Sequence, residues 1–293
     1  MDKLRMKGFV LAAAGSVLWA TSGIAGQYLL GYARVSPEWL TLCRLFLAGL
    51  LLLFYDALTH KGDIFSIWKN TKDGIELFLF GALGMLFTQY GYFVAIKYSN
   101  AATATVLEYL MPILIVAWYC LKYRRLPYKK ELFCSLFAVA GTALIATHGN
   151  FQSLAISSKA LFWGLLAALA CAFYTVEPKR IIQKWRATLV IGWGMLVASI
   201  MIAPVTFYVP VTGNLGWETA AAFLYVVIFG TVLSFSMYLG SVKYIDPGET
   251  SIIAALEPLA SILFSVVIFN MTFGFFELTG MLFIIVAVMV VTK

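Results

Sequence analysis

Ten apolar runs, near 8–30, 37–56, 74–96, 99–121, 130–147, 159–177, 188–208, 219–242, 248–269 and 275–292, occupy nearly all of this 293-residue chain. Each holds about 18 residues or more, enough for a helix to cross a hydrocarbon core of about 30 Å. Lipid offers no hydrogen bonds to a bare backbone, so such runs fold as helices. A transmembrane barrel would instead alternate apolar and polar residues in short strands. At 62% hydrophobic and 12% charged residues, against about 25% charged in soluble domains, no room is left for a soluble domain. The expected fold is an all-α integral membrane protein with ten transmembrane helices.

The chain also matches itself. Lys97, Tyr98 and Pro112 recur as Lys243, Tyr244 and Pro258, at a constant offset of 146 residues. Without a gap, that offset carries Gly84 onto Gly230, Tyr92 onto Tyr238, Asn100 onto Asp246 and Glu131 onto Glu277. Ordered identities over several runs point to duplication, with one five-helix repeat in 1–150 and another in 151–293. Five is odd, so the second repeat enters the membrane from the opposite face and the two are inverted. Proline-interrupted helices at matching positions of two halves are the best sequence pointer to a transporter's binding site.

The net charge of +7 invites a nucleic-acid reading, which its distribution excludes. Of the 21 basic residues, Arg34, Lys97 and Lys159 fall on one side of the membrane and Arg44 inside a run; the rest fall on the side of the N-terminus. The positive-inside rule then makes that side, with both termini, cytoplasmic. The first run follows a short basic segment as a signal peptide would. At about 23 residues it exceeds a typical secretory core, and its counterpart in the second half argues that it is retained.

Enzymatic chemistry finds little support. His60 and His148 fall in connections on opposite sides of the membrane, so they do not form one site. No glycine-rich loop ending in Lys–Ser or Lys–Thr is present to bind nucleotide. Cys43, Cys120, Cys134 and Cys171 lie in or beside runs without metal-ligand spacing. No cofactor or metal is expected.

Ionisable residues inside runs carry the information, since each costs about 2.5–3.5 kcal/mol at a helix centre and so faces a cavity or partner. Arg44 lies about 10 Å into the second run, Glu108 about 13 Å into the fourth and Glu257 about 14 Å into the ninth. All three approach the midplane beside the repeat-related Pro112 and Pro258, which kink their helices. Arg44 is expected to pair with Glu108 or Glu257; a purely structural pairing is the alternative. One arginine does not neutralise two carboxylates, which makes both glutamates candidates for proton coupling or for a cationic ligand. Trp19, Gln89, Tyr90, Tyr109 and Tyr174 reach similar depth and suit an organic ammonium or an aromatic ring. Glu177, beside Pro178, Lys179 and Arg180, reads better as an interfacial salt bridge.

Two inverted five-helix halves over the whole chain resemble the ten-helix EamA-type transporters of the drug/metabolite transporter superfamily. The local signs are the Pro37–Arg44 opening of the second run, Pro112, and Leu256–Glu257–Pro258. The Gly–Glu step that members often carry after the fourth and ninth helices is missing from Lys122–Pro127 and Asn270–Phe275. The resemblance implies a central cavity open to one side at a time and small metabolites as cargo, often exported amino acids. It also makes Glu257 a position common among relatives, and Glu108 the better substrate-specific candidate.

The expectation is therefore a secondary transporter for a small polar or cationic organic metabolite, amino acid or amine-like, working by alternating access in a bacterial plasma (inner) membrane and proton-coupled or gradient-driven. A flippase for a lipid-linked substrate is one alternative. A membrane scaffold or receptor without flux is the other, disfavoured because it needs no mid-membrane carboxylates.

Overall fold

Every apolar run forms a helix, joined to the next by a short connection. The computed structural model describes residues 3–60, 63–150, 155–214, 216–245 and 247–291. Lys61, Asp246 and Lys293, which entered the charge and repeat arguments, lie outside the described residues. The helices are α1 (Lys3–Gly31), α2 (Pro37–His60), α3 (Thr71–Tyr98), α4 (Ala101–Lys122), α5 (Lys129–Thr147), α6 (Ser158–Val176), α7 (Ala187–Thr206) and α8 (Trp217–Tyr238). The ninth, α9, comes in two pieces, Pro247–Ala254 and Leu256–Phe269, and α10 spans Phe275–Val291. Eight of these are long and apolar enough to cross a membrane individually. The two pieces of α9 stack to about 34 Å, and α10 reaches about 25 Å. No strand occurs among the described residues.

Helix contacts repeat in pairs. α1 packs on α8 as α6 packs on α3, and α1 on α9 as α6 on α4, while α2 packs on α7 and α5 on α10. Exchanging the halves, with each helix moved on by five, leaves this pattern unchanged, as a duplicated fold requires. Small residues set the closest crossings, as in membrane interfaces generally. A Cβ on Gly141 would stand 2.6 Å from the Gly280 carbonyl oxygen, and one on Gly280 equally close to that of Gly141.

The repeat-related residues occupy matching structural roles. Gly84 and Gly230 each sit in a π-helical turn, Phe80–Met85 of α3 and Ile228–Leu233 of α8. Glu131 and Glu277 each lie in a first turn and accept a backbone N–H three residues back, from Tyr128 at 2.8 Å and Gly274 at 2.9 Å. Such reach-back satisfies donors that a helix start leaves orphaned. Pro112 and Pro258 each follow an interruption, at Tyr109–Leu110 of α4 and at Ala255 of α9. Proline lacks the N–H that would bond the carbonyl four residues earlier, so the helix opens there.

The two ends of the bundle are fastened differently. Where α1 begins, ion pairs dominate: Arg186 grips Asp56 at 2.6 Å, Lys184 bonds Asp73 at 2.6 Å and Arg180 reaches Asp73 at 2.8 Å and Glu76 at 2.5 Å. These tie α2 and α3 to the short helix Lys179–Lys184 and the start of α7. At the other end, Trp39 Nε1 donates to the Val209 carbonyl at 2.9 Å, the Ala101 N–H donates to Gln27 Oε1 at 2.7 Å, and Tyr28, Tyr32 and Phe269 stack in a row.

Candidate functional site

The interruptions in α4 and α9 face one another across the middle of the bundle, and a cavity of about 410 Å³ lies between them. It is walled by Trp19, Arg44, Gln89, Glu108, Tyr109, Tyr174 and Glu257, all expected from the sequence, together with Tyr92, Met111, Cys171 and Tyr238. The lining continues past Phe80, Thr175 and Ile191 to Ile182 in the short connecting helix. The cavity therefore extends from mid-depth towards the end that carries the N-terminus, while the far end is closed by the Trp39, Gln27 and Tyr28 contacts.

The proline breaks explain the geometry. Pro258 cannot donate to the Ala254 carbonyl, and that freed oxygen accepts the Tyr109 hydroxyl at 2.5 Å. The same hydroxyl lies 3.2 Å from Glu257 Oε2. One tyrosine thus bridges the two broken helices and fixes a carboxylate beside the cavity. On the other wall, Glu108 and Cys171 line the cavity together, and the Cys171 sulfur lies 3.2 Å from Met111 Sδ. Trp19 stands edge-on to Phe235 with ring centroids 5.0 Å apart, and 4.9 Å from the ring of Tyr238. The result is a box of aromatic faces with two carboxylates, suited to a cationic group.

Arg44 departs from expectation: among the described residues it forms no ion pair with Glu108 or Glu257. Its Nε donates to Thr231 Oγ1 at 2.9 Å and its Nη2 to the Gly230 carbonyl at 3.4 Å, while the guanidinium lies over Phe93 at 5.1 Å. The cause is the π turn in α8, which displaces the local hydrogen-bond ladder. Thr231 itself donates to Val226, five residues back, at 2.9 Å. Arg44 bonded to a hydroxyl and a carbonyl makes no direct contact with either carboxylate, and its single charge does not balance two.

Two further expectations fail. Tyr90 does not line the cavity; it donates to Glu38 at 2.8 Å and meets Trp163 edge-on. Neighbouring helical residues point about 100° apart, so Gln89 and Tyr92 share the cavity face and Tyr90 turns away. Among the described residues Glu177 forms no interfacial salt bridge: Arg180 is taken by Asp73 and Glu76, and Glu177 Oε2 is buried without a hydrogen-bond partner. Pro258 is buried beside the cavity and acts through the carbonyl it frees. Tyr92, Tyr238, Met111 and Cys171 were not singled out as site residues. Tyr92 and Tyr238 carried a signal, since they are repeat mates at mid-depth; the two sulfur residues carried none among so many apolar neighbours.

Comparison with known proteins agrees with this architecture. The model of the EamA-like transporter family matches twice, over residues 6–147 and 158–293. The chain is 39% identical over 292 residues to a Salmonella typhimurium protein named as the uncharacterized inner membrane transporter YicL, covering 98% of this chain and 95% of that one. It is 23% identical to the protein PecM of Dickeya dadantii, covering 98% and 92%. A solved crystal structure superposes with a TM-score of 0.66 at 18% identity, over 97% of this chain and 94% of that one. Both halves of the sequence match one family model, and the chain belongs to the EamA-like transporter family, a multi-pass membrane transporter.

Proposed function

We propose that the protein is a secondary active transporter that moves a small polar or cationic organic metabolite, amino-acid-like or amine-like, across the plasma (inner) membrane of a bacterium by alternating access. One observation carries the reading. Glu108 and Glu257 face a single aromatic cavity at mid-depth, while the nearby cation, Arg44, is spent on Thr231 and Gly230. Two buried carboxylates facing one arginine charge leave a surplus that is costly in a membrane, and a positively charged cargo or a coupling proton offsets that cost. The cavity running to Ile182, with the contacts at the far end, supports this reading, since a cycle of this kind needs a state open to one side. A membrane scaffold has no use for this cavity. A lipid-linked cargo calls for a lateral mouth, whereas this lining runs along the bundle axis.

The test is flux in proteoliposomes, after a thermal-shift screen of a metabolite library has found stabilising compounds. Uptake or efflux of such a compound, lost in Glu108→Gln while the variant still folds, is the expected result. No stabilising amine or amino acid, or unchanged flux in the variant, overturns it. The charge asymmetry supports a cytoplasmic N-terminal end. A cysteine introduced at Arg124 should therefore resist a membrane-impermeant thiol reagent in intact cells; labelling from outside reverses the orientation.

A further inference from the structure

A second recess, of about 590 Å³, lies outside the central cavity on the lipid-facing surface where α3, α4 and α6 meet. Its walls are Leu83 and Phe87 from α3, Leu114, Ile115 and Trp118 from α4, and Leu169 and Phe173 from α6. At its head stand two charged residues, Lys122 at the end of α4 and Glu177 just past the end of α6. From Leu114 to Lys122 the groove runs about 12 Å, most of one hydrocarbon leaflet of about 15 Å. Such a trough, apolar along its length and charged at its mouth, has the form of one acyl chain with its headgroup.

The charges narrow the occupant. Among the described residues neither Lys122 nor Glu177 forms an ion pair, and Glu177 Oε2 is buried with no hydrogen-bond partner. Burial, with Glu76 nearby, pushes the Glu177 carboxyl up to about 7, as expected of a carboxylate short of cations. The neighbouring base, Arg180, is held by Asp73 and Glu76. We propose that this groove is a binding site for a phospholipid with a primary-amine headgroup, its chain along Trp118 and Leu169, its phosphate on Lys122 and its ammonium on Glu177. A purely anionic headgroup would satisfy Lys122 but place a second negative charge beside Glu177. A quaternary headgroup carries the positive charge but has no N–H to donate to Oε2. The site is separate from the cargo cavity, so the inference stands or falls independently of the transported substrate.

The experiment uses the full chain, purified and delipidated, and returned to nanodiscs of equal phosphatidylethanolamine and phosphatidylglycerol. Lipids retained on release into the gas phase are counted by native mass spectrometry, and quenching by brominated-chain phosphatidylethanolamine is read from tryptophan fluorescence. Wild type should retain the ethanolamine lipid over the glycerol lipid by about tenfold or more, the worth of one charge-assisted hydrogen bond. Phosphatidylcholine in its place should be retained no better than phosphatidylglycerol. Glu177→Gln should abolish the preference while keeping the protein folded, and Lys122→Gln should lower retention of both lipids. Trp118→Phe should remove a share of the quenching. Equal retention of the two lipids by wild type, a preference that survives Glu177→Gln, or quenching unaffected by Trp118→Phe overturns the proposal. A dimer that buries the groove and excludes lipid from it overturns it as well.

Discussion

The interrupted helices α4 and α9 have the same break and different chemistry. Each opens one turn or less before a proline, at positions related by the repeat. In α4 the residues around the break read Glu108, Tyr109, Leu110, Met111; in α9 they read Ala254, Ala255, Leu256, Glu257. The carboxylate stands before the break in one and after it in the other. Tyr109 has no aromatic mate, and it crosses the gap to take the carbonyl that Pro258 frees in α9. The duplicated backbone supplies two equivalent openings, and the unlike side chains divide the work. Glu257 is anchored by Tyr109, whereas Glu108 lines the cavity beside Cys171 and Met111 without such an anchor among the described residues, and is the freer of the two to engage a cargo.

The largest effect expected from this contrast is on flux. Glu108→Gln should reduce transport of the positively charged cargo by about tenfold or more, since a charge-assisted contact is worth about 1.5–3 kcal/mol. Glu257→Gln should reduce it less, because the amide can still accept from Tyr109. Equal losses in proteoliposome assays would mean that the two carboxylates act as one coupled pair and the contrast is empty.

Stability separates Arg44 from both. Arg44→Ala strands Thr231 and the Gly230 carbonyl in a buried turn, and should lower stability by about 2–3 kcal/mol. Its coupling to Glu108→Gln should be well below that of a direct ion pair, since the residues share no hydrogen bond and face each other only across the cavity. A clearly non-additive double variant, measured by melting temperature, would restore the Arg44–Glu108 pair that the sequence suggested.

Tyr109→Phe comes next. It removes the link to Ala254 and Glu257, at about 1 kcal/mol, and should make Glu257 as exposed to cargo exchange as Glu108. The test is whether flux in the Tyr109→Phe background becomes as sensitive to Glu257→Gln as to Glu108→Gln; unchanged sensitivity removes the anchoring role. Smallest is Pro258→Ala, which returns an N–H for the Ala254 carbonyl. Its effect should be near zero while Tyr109 occupies that carbonyl and turn stabilising once Tyr109 is Phe and the carbonyl is orphaned, a coupling that a double-mutant cycle on melting temperature would read.

Much of the fold was legible because a membrane protein obeys few rules. Run length, the lack of water and a repeated proline specify ten helices and their two breaks before any packing is considered. The reach-back roles of Glu131 and Glu277 follow from the same repetition. The site was legible in part: residues at the depth of the breaks did gather in one cavity, as Glu108, Glu257, Tyr109, Trp19 and Tyr174 do. What depth does not specify is direction around the helix axis, which sent Tyr90 to Glu38 while Gln89 faced the cavity.

The amino-acid sequence by itself determined the number of helices, their doubling and the level at which charge enters the bundle, because each depends on local composition and spacing. Only the tertiary structure decided who answers whom. The π turn at Gly230 and Thr231 claimed Arg44, the freed carbonyl of Ala254 claimed Tyr109, and Asp73 with Glu76 claimed Arg180 away from Glu177. Hydrogen-bond partners of a buried charge are set by groups distant in the chain and near in space, and no local pattern records which of several acceptors arrives within 3 Å.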